Sequence, residues 1–329
     1  MILTPILAVI LAIVIDFALG DPKNKFHPTV WIGTLIGKLV PFTKGHSPQT
    51  ERLAGVVITI SVTALVIVIL YFLNLGMNSL NSSDFNLDEL VVTIFTVVIT
   101  SVLLKTTIAV KGMENHAKLI MKALSQNNLD DARAKLSLIV KRNTKNLDRQ
   151  HIISGTLESI SENTVDGITG PIFYFAIFGL PGAFVYRTIN TLDSMIGYKT
   201  DLFRNVGWFG ANCDKILNYL PARITSLVMI LAAMILRADW KRSLKIMRRD
   251  ASKTESPNAG YPMATLAGAL GARFEKIDHY VLGDGNLELT ENHVKSAISI
   301  MKLTTVLFCV IFAVPTMVIL SYLGWWLNA

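Results

Sequence analysis

Three acidic residues stand four apart in the run HIISGTLESISENTVDG at 151–167: Glu158, Glu162 and Asp166. On an α-helix, residues four apart are offset by about 40°, so the three carboxylates share one face. No Lys or Arg occurs between Arg149 and Arg187 to offset them, and like charges at that spacing repel. The run leads directly into apolar sequence, where uncompensated charge is costly. A cation or a substrate is the natural compensation. Mg²⁺ suits the set, because it takes carboxylate oxygens and keeps positions open for phosphate. A plain solvated helix face is the competing reading, and the missing counter-charge weighs against it.

A second polar stripe follows. Arg187, Asn190, Asp193, Ser194, Gly197 and Tyr198 fall at offsets 0, 3, 6, 7, 10 and 11, so a helix presents them on one side. They offer hydrogen bonds and ligand oxygens, with Lys199 and Arg204 nearby to hold phosphate. Asp214, Asn218 and Arg223 form a similar group around Pro221, which suits the opening of a helix. Near the N-terminus Asp16, Asp21, His27 and Pro28 surround the end of an apolar run, and an acid within such a run is a functional candidate by default. The turn Ser256-Pro257-Asn258-Ala259-Gly260-Tyr261-Pro262 feeds a stretch in which Gly260, Ala264, Gly268 and Ala272 recur every four residues. That pattern makes a smooth ridge for a closely packed helix, while Asn258 and the turn amides can meet a ligand. No Walker A, GxGxxG or HExxH pattern is present.

The elements that must position these residues are membrane helices. Of 329 residues, 51% are hydrophobic and 17% charged, against about 25% charged in soluble chains, and the mean hydropathy is +0.47. Spans are predicted at residues 2–19, 53–75, 90–110 and 303–327, each long enough to cross a hydrocarbon core of about 30 Å. Trp325 and Trp326 suit the interface at the end of the last. Segments 168–186 and 222–236 form an ambiguous pair, the first broken by Gly170, Pro171, Gly179, Pro181 and Gly182. They read as two kinked spans or as a re-entrant hairpin. The expected fold is therefore all-α, a polytopic membrane protein of four to six membrane segments, read as one catalytic domain over 1–329. Helical loops are expected at about 20–52, 111–167 and 237–302. Within 111–150, Ala117, Ile120, Met121 and Leu124, then Ala132, Leu136, Ile139 and Val140, recur at helical spacing.

The net charge is +7, from 31 Lys+Arg and 24 Asp+Glu. In a membrane protein that excess reflects cytoplasmic loops rather than nucleic-acid binding. Loop 76–88 has no Lys or Arg, whereas 20–52, 111–149 and 237–302 are basic, which predicts outward-facing termini and cytoplasmic main loops. Residues 1–19 lack the basic start of a signal peptide. Cys213 and Cys309, the two cysteines, support neither a disulfide framework nor a cysteine metal site.

The ordered residues Asp16, Gly20-Asp21-Pro22, His27-Pro28, Gly33, Glu158-Ser159, Glu162-Asn163, Asp166-Gly167 and Pro171 resemble the adenosylcobinamide-phosphate synthase family, CbiB or CobD, of cobalamin biosynthesis. The resemblance continues through Gly179-Leu180-Pro181-Gly182-Ala183, Asn190-Thr191-Leu192-Asp193-Ser194-Met195, Gly197-Tyr198, Pro221-Ala222-Arg223 and Ser256-Pro257-Asn258-Ala259-Gly260. One departure is Lys141-Arg142-Asn143-Thr144, where Gly-Arg-Asp-Thr is expected, so position 143 carries no acid.

The resemblance implies ATP-dependent amide formation between a carboxylate of adenosylcobyric acid and (R)-1-aminopropan-2-ol or its O-phosphate. Cobalt then arrives only inside the corrinoid substrate, and Mg²⁺ accompanies ATP. It implies metal ligation by Glu158, Glu162 and Asp166, with Asp193 and Asn190 completing the metal or substrate shell and Glu162 and Asp193 acting in catalysis. Asp21 or His27 would serve as base for the attacking amine. Arg142, Lys199 and Arg223 would meet phosphate or propionamide groups, and Asn163, Ser194, Tyr198 and Asn258 would line the substrate site. The expected setting is the cell membrane, with the site cytoplasmic, no nucleic acid, and association with other cobalamin-biosynthesis enzymes. A polytopic transporter or a non-catalytic membrane regulator on the same scaffold are the alternatives. Retention of Glu158, Glu162, Asp166 and Asp193 favours the enzyme.

Overall fold

A computed structural model describes residues 3–79, 88–198, 200–285 and 287–325. Lys199, Trp326, most of the 76–88 loop, and the Ile2 and Leu327 ends of two predicted spans lie outside the described residues. The protein is 78% helical. Among the described residues, four helices are long and apolar enough to cross a membrane, or five with a bent pair. A multi-pass all-α membrane protein is what the composition led us to expect.

The helices are α1 (Leu3–Leu19), α2 (Pro28–Leu39), α3 (Pro48–Ser79), α4 (Glu89–Lys105), α5 (Val110–Ser125), α6 (Leu129–Leu136), α7 (Arg149–Thr164), α8 (Gly170–Ile196), α9 (Trp208–Leu217), α10 (Tyr219–Ile235), α11 (Trp240–Asp250), α12 (Pro257–Leu270), α13 (Glu291–Phe308) and α14 (Val314–Tyr322). Side-chain caps fix several starts. Asp88, Asn128, Asp148 and Asp239 each accept a backbone N–H from the first turn of α4, α6, α7 and α11, a bond worth about 1 kcal/mol. Pro28, Pro48 and Pro257 open α2, α3 and α12, where the missing N–H costs nothing. Gly271, at φ 62°, ends α12 in the left-handed conformation.

The chain divides into two compact units. The first comprises Met1–Ile108, Gly170–Leu217 and Phe312–Ala329. In it α1 buries Ala8, Val9, Ala12, Ile13 and Asp16 at helical spacing beside α4, which buries Val97, Ser101, Leu104 and Lys105. Gly33 lets α2 approach α8, where a Cβ would stand 3.3 Å from the Met195 sulfur. Helix α8 kinks at Gly179 (φ 66°, ψ −156°), two residues before Pro181, so the broken segment expected at 168–186 is a kinked helix. Only 28% of the apolar stretch of Pro48–Met77 is buried, against 61% for Arg149–Ile196. The former thus leaves most of its apolar surface exposed, and the latter is mostly buried.

The second unit comprises Ala109–Thr169 and Asn218–Ile311. Helix α5 buries Ala117, Ile120, Met121 and Leu124 as its periodicity requires. Helix α6 stops at Leu136, so Ile139 and Val140 fall past its end. The small-residue ridge is a packing surface: α12 lies against α11, and a Cβ on Gly268 would come within 2.6 Å of Ser243 Cα. Loop 237–302 is not wholly helical. It contains an antiparallel hairpin, β1 (Phe274–Lys276) and β2 (Tyr280–Leu282), registered Phe274 to Leu282. Asp278 takes a positive φ in its turn, a conformation Asp tolerates. The expected segment 222–236 falls almost wholly within α10, which follows a break at Asn218.

Candidate functional site

The acidic helix is α7, and its first acid already has a partner. Glu158, 3% exposed, receives Arg142 Nη2 at 2.6 Å, the Tyr280 hydroxyl at 2.7 Å and Ser154 Oγ at 2.8 Å. Ser154 in turn accepts the Glu275 N–H at 2.8 Å, which ties the hairpin to α7. Burial, and then the Glu158 carboxylate, push the Tyr280 phenol well above its ordinary pKa, so Tyr280 donates throughout the accessible pH range. The expectation that nothing basic neutralises the acids therefore fails at Glu158. The cation comes from Arg142, sixteen residues upstream and outside the 149–187 window.

Glu162, Asn163 and Asp166 are half-buried. Asn163 donates to Ser159 O at 2.9 Å and Ser159 Oγ at 3.2 Å. Residues Val165–Thr169 form a π turn, which interrupts the 3.6-residue phase at Asp166. Such turns recur at functional sites. Thr169 Oγ1 bonds Thr164 O at 2.9 Å and Thr225 Oγ1 at 2.6 Å, which secures the turn. Among the described residues no three His, Cys, Asp or Glu side chains converge to hold a metal. A three-carboxylate cage of Glu158, Glu162 and Asp166 thus does not fit. Mg²⁺ uses one or two carboxylates plus substrate phosphate, a smaller donor set for which Glu162 and Asp166 are the candidates.

Arg223 and Asn258, predicted from different segments, meet in the same unit. Arg223 Nη1 donates to Asn258 Oδ1 at 3.1 Å and to Tyr219 O at 2.6 Å. Its guanidinium lies 3.5 Å from the Tyr219 ring centroid and 4.5 Å from that of Tyr261. Two aromatic faces hold the cation in place. Asn143, where an acid was expected, accepts the Lys145 N–H at 3.0 Å in a local turn.

The remaining predicted residues lie in the first unit. Asn190 is buried, accepts from Arg187 Nη1 at 3.2 Å and donates to Asp214 Oδ1 at 3.3 Å. The Arg187–Asn190 half of the stripe is therefore a connected polar chain. Asp193 is half-buried and Ser194 exposed. Helix α8 ends at Ile196, so Gly197 and Tyr198 lie beyond it, with the Tyr198 ring 6.1 Å from that of Phe203.

Asp21 and His27 share a cluster that includes an unforeseen residue. Lys105, 3% exposed, reaches Asp21 Oδ1 at 2.6 Å and Asp16 Oδ1 at 3.4 Å, and His27 Nε2 lies 3.8 Å from Asp21. Burial raises the Asp21 pKa, but hydrogen bonds from His27 and Lys105 and their charges outweigh it and hold the carboxyl at about 2. So acidic a group is a weak base. Its carboxylate instead anchors Lys105. Lys105 was legible as a lone cation in an apolar run facing the lone acid Asp16. Tyr280 and Ser154 left no comparable signal.

Fold and site together define a multi-pass helical membrane protein with buried polar clusters on its long helices. Comparison with known proteins makes this specific. The CobD/Cbib protein family model matches residues 9–320. A relative from Methanothermobacter thermautotrophicus, named "Probable cobalamin biosynthesis protein CobD", is 38% identical over 91% of this chain and 94% of its own. One from Methanocaldococcus jannaschii, with the same name, is 36% identical over 99% and 100%. The "Cobalamin biosynthesis protein CobD" of Dehalococcoides mccartyi is 37% identical over 85% and 87%. No solved structure matches. The chain belongs to the CobD/Cbib family, and that membership supports a role in cobalamin biosynthesis.

Proposed function

We propose that the protein is the amide-forming enzyme of its family, an adenosylcobinamide-phosphate synthase. It would join a carboxylate of adenosylcobyric acid to (R)-1-aminopropan-2-ol or its O-phosphate at the expense of ATP. The observation that carries this reading is the family match from residue 9 to residue 320. A carboxylate is a poor acyl donor until one oxygen becomes a leaving group, for example as an acyl phosphate, and that activation depends on positioning and on stabilising phosphate charge. When bound, Mg²⁺ would polarise the phosphate oxygens.

Glu162 and Asp166 are the residues that would hold it, on a segment whose π turn is fixed by Thr169. Glu158 instead orders the helix through Arg142 and Tyr280. Arg223, stacked between Tyr219 and Tyr261, would present its remaining N–H groups to phosphate or amide oxygens, with Asn258 beside it. In the first unit, taken by itself, Asp193, Asn190, Ser194, Tyr198 and Lys199 are the residues we propose as substrate contacts, with His27 as a proton acceptor for an amine. We place the site on the cytoplasmic side of the cell membrane, where ATP is available. Association with neighbouring enzymes of the same biosynthesis would follow naturally.

A transporter reading draws on the Gly179 kink and the helix break at Asn218, since broken helices also line transport sites. The test is purified protein in detergent with adenosylcobyric acid, ATP, Mg²⁺ and either (R)-1-aminopropan-2-ol or its O-phosphate, followed by mass. Amide product without sealed vesicles supports the enzyme. Folded protein that yields none with either amine refutes it.

A further inference from the structure

Helix α11 carries a basic face that the chemistry above does not use. Its sequence, WKRSLKIMRRD, buries Ser243, Ile246, Met247 and Asp250 and leaves Lys241, Lys245, Arg248 and Arg249 exposed. Steps of four and three bring Lys241, Lys245 and Arg248 to one side of the helix. With Leu244 and Arg249 they line a concavity of about 420 Å³. The nearby acids are engaged elsewhere. Asp239 accepts the Arg242 N–H at 2.9 Å, Asp250 pairs with Arg249 and Lys253 at 2.7 and 2.6 Å, and Asp284 pairs with Arg249. Lys241, Lys245 and Arg248 make no ion pair with any described residue.

The location of this face matters as much as its charge. Helix α11 begins five residues after α10, the second limb of the bent apolar pair, ends at Ile235. Ile235, Leu236 and Trp240 are all exposed where the two helices join, and the Lys241 ammonium lies 5.7 Å from the Trp240 ring centroid. An indole flanked by exposed aliphatics on one side and cations on the other matches the depth profile of a bilayer interface.

We propose that this face of α11 is a headgroup site for anionic phospholipid. Arg248 would fork a phosphate and Lys241 and Lys245 would act as point charges around it. The apolar rim from Ile235 to Trp240 would meet the acyl chains, which a free phosphate would leave bare.

The test uses the full chain, purified in an uncharged detergent, titrated with dihexanoyl phosphatidylglycerol, with dihexanoyl phosphatidylcholine or with inorganic phosphate, and read by native mass spectrometry. Phosphatidylglycerol should bind more tightly than phosphatidylcholine, and millimolar inorganic phosphate should not displace it. K241A/K245A/R248A should weaken phosphatidylglycerol binding on the order of 100-fold, at roughly a factor of five per cation. The charge-retaining K241R/K245R, with Arg248 intact, should keep it. All three side chains are exposed, so the folded yield should not change. Equal binding of both lipids, or phosphatidylglycerol binding unaltered in the alanine triple, overturns the site. Displacement by inorganic phosphate at matched concentration overturns the lipid as occupant.

Discussion

Replacing Arg142 by alanine should damage the fold more than most single changes, because it strands a carboxylate in the interior. The two charged groups approach to 2.6 Å, with Glu158 3% exposed. At an effective dielectric of about 20 and charge centres about 4 Å apart, the attraction is about 4 kcal/mol. That agrees with the roughly 3–5 kcal/mol lost when one partner of a buried pair is removed. Tyr280 and Ser154 would remain as donors, which sets the expected loss for Arg142→Ala near the lower end, about 3 kcal/mol. Glu158→Gln alone should cost about 1.5–3 kcal/mol, the worth of hydrogen bonds to a charged group. The double variant should lose about 2 kcal/mol less than the sum, since the glutamine removes the stranded charge. The assay is unfolding of all four proteins in one detergent, followed by tryptophan fluorescence. Strictly additive losses, or an Arg142→Ala protein within about 0.5 kcal/mol of the parent, would refute the structural role assigned to Glu158.

Three further outcomes are expected. At Asp250 burial raises the pKa, but Arg249, Lys253 and the Gly283 N–H outweigh it and hold the carboxyl at about 2. With its side chain fully buried, it contributes about 2 kcal/mol that is present above pH ~4 and lost as pH falls toward 2. Asp250→Asn should remove that contribution at pH 7 and flatten the acid limb of a stability–pH curve. Gly268→Leu should push α12 off α11, given the 2.6 Å approach to Ser243 Cα, at a cost of about 1–3 kcal/mol or more, read as lost folded yield. In a cysteine-free background, Gly76→Cys, which faces open space, should react with an impermeant thiol reagent on intact cells. Gln126→Cys, also exposed, should not, and reversed labelling would invert the orientation.

How far the sequence could be read depended on the range of each interaction. Membrane class followed from charge-free runs, and the Gly260–Ala272 ridge from a four-residue repeat, since both are local patterns. The grouping of Glu158 with Glu162 and Asp166 used the same local logic and missed Arg142, whose approach depends on how the chain folds back. The π turn at Val165–Thr169 has no reliable sequence mark, so the shared face looked longer than it is. The resemblance offers Asp21 or His27 as the base, and no local pattern reveals Lys105, 84 residues from Asp21; His27 and Lys105 together hold that carboxyl low. The hairpin at 274–282 is too short for a period-two signal, which hid Tyr280.

Glu158 braces α7 through Arg142 and Tyr280, and Glu162, with Asp166 in the π turn that follows, is proposed to hold Mg²⁺. The direct measurement is the Mg²⁺ dependence of amide formation by purified Glu162→Gln, alongside its thermal midpoint in detergent. The expected result is an unchanged midpoint and a half-saturating Mg²⁺ concentration raised about tenfold, equivalent to about 1.4 kcal/mol of lost metal binding. Full activity with the parent's Mg²⁺ response would contradict it.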